Sequence, residues 1–198
     1  MPWACAAVHL PGGKMPINGA NSIKKLIYYQ YAKHIARGIL HVHDTESAKK
    51  HFGLIMAKFK ELENGTIHWS DITREDKQFT QSEKECIYCG KSDDLSWEHI
   101  VPKSLHINGR CPTCPKIMEI HNLVWACRSC NSAKGKTGLY KYYKRITKEN
   151  ENYFDIIPPL LEKKYLKTIY YCHECAGTLD KTIDPKNEDS YLELDFDV

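Results

Sequence analysis

Eight of the nine cysteines in this chain fall into four Cys-x-x-Cys pairs, Cys86/Cys89, Cys111/Cys114, Cys127/Cys130 and Cys172/Cys175, leaving only Cys5 over. Two thiolates at this spacing converge on one ion from a single turn, so the pairs read as knuckles built for zinc. The N-terminus, MPWACAAVHLPGG, has neither the basic start nor the apolar run of a signal peptide. The expected setting is therefore the cytoplasm of a prokaryote or of a phage's host, where thiols stay reduced and metal explains paired cysteines better than disulfides do. Redox chemistry is the weaker reading, because no pair opens a thioredoxin-like helix.

With 198 residues, 42% of them hydrophobic and 27% charged, the chain has the balance of a soluble globular protein. It can bury one ordinary core, or one core and a small appendage. No segment approaches the roughly 18 to 20 apolar residues of a membrane span. The net charge of +3 is mild, but its distribution is uneven. Arg128, Lys134, Lys136, Lys141, Lys144, Arg145 and Lys148 follow one another with no acidic residue between them, a footprint suited to a polyanion. From Asp180 the balance turns acidic, with Asp184, Glu188, Asp189, Glu193, Asp195 and Asp197 against Lys181 and Lys186.

Residues 1–80 read as a helical N-terminal region without chemistry of its own. Gly12, Gly13 and Lys14 fit no P-loop spacing. A helix is predicted from Asn21 or Ser22 to about Gly38, with Ile23, Ile27, Tyr31 and Ile35 on one stripe and Leu26 and Ile39 at its margin. Lys24, Lys25, Lys33 and Arg37 lie off that stripe, as solvated surface or as contacts to a nucleic-acid backbone. His41 and His43 could share a metal but lack partners nearby; Asp44 is the better-placed residue, as a cap. A second helix should run from Thr45 to Glu63, carrying Phe52, Ile55, Met56, Phe59 and Leu62, and stop at Asn64-Gly65. Trp69, Ile72 and Phe79 suggest a short third helix capped by Asp71.

The chemistry gathers between Cys86 and Gly135. Leu95–Val101 reads as a strand that Pro102 stops, Leu123–Ala126 as its antiparallel partner, and Asn131–Lys144 as a helix weakened at Gly135 and Gly138. A knuckle flanks each end of this strand–loop–strand–helix unit, which is too small to hold together by apolar burial alone. Glu98, His99, Asn122 and Asn131 supply a carboxylate, an imidazole and two carboxamides. A neutral imidazole can take a proton from water, and oxygen donors suit a hard cation where thiolates suit zinc. One difficulty is that adjacent strand residues point to opposite faces, so Glu98 and His99 share a site only if the strand bends or ends there.

The run Cys86-x-x-Cys89, Glu98-His99 followed by Ile-Val-Pro, Asn122-Leu-Val, and Cys127-x-x-Cys130-Asn131 with Lys134-Gly135 resembles the HNH endonuclease family over about a quarter of the chain. The resemblance implies an α+β fold: a ββα-metal (His-Me finger) core over residues 81–150, with Cys86, Cys89, Cys127 and Cys130 on one structural zinc. It implies His99 as general base, Glu98 and Asn131 as ligands of one catalytic Mg²⁺ or Mn²⁺, and Asn122 as the residue that steadies the histidine loop. The acid is Glu rather than the commoner Asp, and the third motif letter is Asn rather than His. The implied activity is hydrolysis of DNA, double-stranded, leaving 5′-phosphate and 3′-hydroxyl ends. Lys103, Arg128, Lys134 and Lys136 are the candidate phosphate contacts, with solvated surface as the plain alternative. A non-catalytic zinc-dependent nucleic-acid-binding protein is the reading from another class, and a homodimer is compatible with either.

If the first and third knuckles close on each other as the resemblance implies, Cys111, Cys114, Cys172 and Cys175 are left for a second zinc. It would tether the C-terminal extension, residues 151–198, to the inter-strand loop. The rival pairing joins Cys111/Cys114 with Cys127/Cys130 at zinc-ribbon-like spacing. Pro159 should open a helix, and the acidic tail from Asp184 reads as a solvated extension or a competitor for the basic helix.

Overall fold

The computed structural model describes residues 19–40, 48–67, 83–107, 115–149, 151–184 and 187–196. Helices α1 (Ile23–Leu40) and α2 (Ala48–Glu63) come first. Strands β1 (Leu95–His99) and β2 (Leu123–Cys127) follow, then helices α3 (Arg128–Lys134), α4 (Leu139–Ile146) and α5 (Pro159–Cys175). Short helical turns at Ser104–Ile107, Pro115–Met118, Ile120–Asn122, Tyr153–Ile156 and Glu188–Leu194 occupy the connections. The expectations for His41, His43 and Asp44, for a helix around Trp69–Phe79, and for Cys111 and Cys114 lie outside the described residues.

Local chemistry sets most of these boundaries. Ser22 Oγ accepts from Lys25 N at 3.4 Å and opens α1. Gly65, at φ 69°, takes the left-handed conformation that closes α2. Pro159 stands at the start of α5, where its missing N–H costs nothing. The buried surface of α1 is wider than one stripe. Ile23, Leu26, Ile27, Tyr29 and Tyr31 are all buried because α2 covers one side of the helix and α5 the other. Tyr29 meets Phe59 of α2 edge-on at 6.0 Å, and Tyr28 stacks on Tyr170 of α5 at 5.7 Å.

A single hydrophobic cluster runs from α1 and α2 through Ile100, Val101, Leu105, Ile117 and Val124 to α4, α5 and Leu194. The three stretches 1–80, 81–150 and 151–198 thus share a core wherever they are described. Two of the α1 lysines have partners within the protein. Lys25 pairs with Glu63 at 3.4 Å. Lys33 lies 5.2 Å from the ring centre of Tyr29, 5.8 Å from that of Phe154 and 5.5 Å from that of Tyr191.

Two predicted elements change shape. The helix expected over Asn131–Lys144 is two helices, because Gly135 sits at φ 55° and α4 restarts after Gly138. Among its described residues, the acidic tail is docked on the fold through Tyr191, Leu194 and Asp195. Tyr191 and Leu194 are buried, and the Asp195 carboxylate accepts from Tyr140 N at 3.3 Å and Lys141 N at 2.7 Å, capping α4 from a distant part of the chain. A side chain at Gly138 would collide with Asp195. Asp189 also pairs with Lys144, so the tail uses one charge of the basic run. Among the described residues, no helix is long and apolar enough to cross a membrane.

Candidate active site

The two strands pair antiparallel in the register Leu95↔Cys127, Ser96↔Ala126, Trp97↔Trp125, Glu98↔Val124 and His99↔Leu123. Trp97 and Trp125, directly opposite each other, stack at 3.8 Å, and such aromatic cross-strand pairs stabilise a sheet. α3 starts where β2 ends and packs back on both strands.

One cysteine cluster pins this arrangement. The Sγ atoms of Cys86, Cys89, Cys127 and Cys130 all lie within 4.8 Å of one another, and Cys89 Sγ is 3.7 Å from Cys127 Sγ. Four sulfurs about 2.3 Å from a tetrahedral zinc would be about 3.8 Å apart, so the donor set fits the metal. The gathering joins the first and third knuckles; it is not the zinc-ribbon-like alternative. Ser129 Oγ lies 3.1 Å from Cys127 Sγ and holds that thiol down to about 6. Burial, with the neighbouring sulfurs, pushes the Cys130 thiol up, since thiols crowded together disfavour one another's charged form.

Glu98 faces inward from β1 and is 3% exposed. Lys134, in the last turn of α3, brings its ammonium to 2.9 Å from Glu98 Oε1 with its side chain fully buried, and to 3.4 Å from the His99 carbonyl oxygen. The approach is a buried ion pair. The Tyr88 hydroxyl is nearby, and burial together with the Glu98 carboxylate pushes it well up from its ordinary range. Carboxylate oxygens are the donors a hard cation takes. Asn131 stands one helical turn before Lys134 on the same face of α3, half-buried.

His99 is the last residue of β1, and the chain bends at Ile100 and Val101. The strand is thus two residues shorter than predicted and ends at the motif. The His99 ring is half-buried. Burial, with the charges of Lys103 and Lys134, lowers its pKa below the usual histidine value and favours the neutral form, the one that can accept a proton.

Asn122 is fully buried. Its Oδ1 accepts from Val101 N at 2.8 Å, and its Nδ2 donates to Val101 O at 2.9 Å and to Ile117 O at 2.8 Å. It therefore fixes the bend just beyond His99. His121 beside it is buried, with Nδ1 3.3 Å from Glu119 Oε2.

Of the four candidate phosphate contacts, Lys103, Arg128 and Lys136 are exposed, Arg128 lying 3.7 Å from Asp94. Lys134 departs from the expectation, being buried against Glu98 instead of lying on the surface. The sequence carries no local signal for that placement. Tyr88 and Ser129 carried none, since only the tertiary fold brings them to Glu98 and Cys127. At the far end of α5, Cys172 is buried and Cys175 exposed.

The HNH endonuclease family model matches residues 86–137. No curated protein and no solved structure matches the chain.

Proposed function

We propose that the HNH endonuclease domain at residues 86–137 makes this protein a nuclease that hydrolyses DNA phosphodiester bonds, with a ββα-metal core as its catalytic unit. The observation that carries the reading is the four-sulfur cluster, which ties the hairpin to α3 and so sets Glu98 against the helix bearing Asn131. The four cysteines would hold zinc; Glu98 and Asn131 would hold one divalent cation, Mg²⁺ or Mn²⁺. Such a cation offsets negative charge on the phosphate and on the leaving oxygen.

The remaining work falls to the chain. His99, kept neutral by burial and by Lys103 and Lys134, takes a proton from water as the oxygen forms its bond to phosphorus. The bond from phosphorus to the 3′ oxygen breaks, that oxygen takes a proton from solvent, and the ends are 5′-phosphate and 3′-hydroxyl. Asn122 holds the bend that presents His99. Exposed Lys103, Arg128 and Lys136 contact the backbone of duplex DNA as sequence-independent charges.

A nicking assay on supercoiled plasmid with Mg²⁺ or Mn²⁺ tests this. Wild type should cut, and His99→Ala should bind DNA as well but cut at least about a hundredfold more slowly. Binding without cutting by the wild type would leave a zinc-dependent nucleic-acid-binding protein instead.

A second zinc, on Cys172 and Cys175 with Cys111 and Cys114, is also proposed. Support comes from the sequence spacing and from Lys116, whose ammonium lies 5.3 Å from the ring centre of Tyr171, the residue before Cys172. Cys111 and Cys114 lie outside the described residues.

A further inference from the structure

Resting on Glu98 and Asn131 as ligands of a divalent cation, we propose that Lys134 is a positioning residue that competes with that cation for Glu98. Its ammonium holds the carboxylate while the site is empty of metal and is driven off it when the metal enters.

Both partners of the pair are almost wholly withdrawn from water, 0% for the Lys134 side chain and 3% for that of Glu98. Lysine is among the residues least often buried to this depth, and a hydrophobic pair of similar volume would usually hold a hairpin to a helix as well or better. The pair therefore asks for a reason beyond packing. Its position supplies one, since the ammonium sits on the carboxylate proposed to bind metal. It is carried by the same face of α3 as Asn131, the other proposed ligand, one helical turn away.

Charge makes the competition unavoidable. Glu98 and Lys134 together are neutral, and Asn131 adds no charge, so a divalent cation meets a site already satisfied by a resident cation. Two cations against one buried carboxylate repel strongly at low dielectric, and one must yield. The lysine stem is long enough to withdraw, and it is rooted at the end of α3, where Gly135 at φ 55° turns the chain away. The carboxylate keeps a polar neighbour through the exchange, because the Tyr88 hydroxyl also interacts with it. A DNA phosphate at the site would add negative charge, stabilise the incoming metal and offer the displaced ammonium a new partner. Metal and DNA should therefore bind more tightly together than either does alone.

The test measures Mn²⁺ affinity of the zinc-loaded full chain by electron paramagnetic resonance of free Mn²⁺. Lys134→Met should bind Mn²⁺ about tenfold more tightly or better, Lys134→Arg should stay within about threefold of wild type because it keeps the charge, and Glu98→Gln should bind weakly or not at all. If Lys134→Met keeps the wild-type circular dichroism but binds Mn²⁺ no more tightly, the proposal is overturned. A second measurement needs no folded variant. Amine acylation of the wild type, mapped by mass spectrometry, should increase at Lys134 when Mn²⁺ is added, and unchanged labelling at saturating Mn²⁺ would also overturn it. Failure of the underlying reading looks different: wild type and Lys134→Met would then both bind no Mn²⁺, with or without DNA.

Discussion

Asn122 has almost nothing left to offer a substrate, because three of its four hydrogen-bonding positions are occupied by Val101 and Ile117. In the proposed mechanism its effect on cleavage passes through the bend that follows His99. Truncation to Ala strands Val101 N, Val101 O and Ile117 O, and such orphaned groups cost about 1–3 kcal/mol each, partly relieved by water. Asn122→Ala should therefore lose roughly 2–4 kcal/mol in urea denaturation and cut more slowly with little change in DNA affinity. Full stability in the variant would mean that the loop holds its shape without the carboxamide. The bend after His99 was legible in the sequence, because Pro102 stands just beyond the motif and stops the strand. Lys134 was not, since it stands in a run of basic residues that look alike until α3 packs on β1. Burial, not composition, separates it from Lys136.

At the level of elements, the breaks were easier to foresee than the joins. Gly135 and Gly138 marked a weak point, and the structure turns it into an actual break between α3 and α4. The cap that restarts α4 is Asp195, more than fifty residues downstream, and nothing local to Gly138 announces it. The same holds for the knuckles, whose internal spacing is local but whose pairing is not. The hairpin register brings Cys127 opposite Leu95 and so toward Cys86 and Cys89. If α5 ends in a second zinc site, wild type should carry a second equivalent of zinc by native mass spectrometry. Cys175→Ser should then lose one equivalent and keep most of its cleavage, whereas Cys89→Ser should lose the hairpin zinc together with activity. A wild-type chain with a single zinc would remove the second site.

Across the whole molecule, one buried polar cluster connects segments that the sequence presents as separate. Glu162 of α5 receives Gln30 Nε2 at 2.8 Å and the Tyr140 hydroxyl at 2.8 Å, and meets His34 Nε2 at 2.6 Å. The cluster thereby links α1, α4 and α5, all of them also joined by the common hydrophobic cluster. Hydrophobic periodicity had identified α1 as a helix with a core face, but it carried no sign that Gln30 and His34 would close on a carboxylate more than a hundred residues away. Burial by itself would raise the pKa of Glu162, yet His34, with the hydrogen bonds from Gln30 and Tyr140, draws it down from the ordinary 4.5 to about 2. A carboxyl whose folded pKa is depressed stabilises the fold fully above its unfolded value and loses that contribution as pH falls through the folded one. Glu162 should therefore contribute its full share above about pH 4.5 and progressively less toward pH 2. Glu162→Gln keeps the shape and removes the titration. Its urea midpoint should lie below that of wild type at pH 7, and the gap should narrow as the pH is lowered from 5 to 3. A gap that stayed constant over that range would show that the carboxylate holds α1, α4 and α5 together by hydrogen bonding alone, with no part played by its charge.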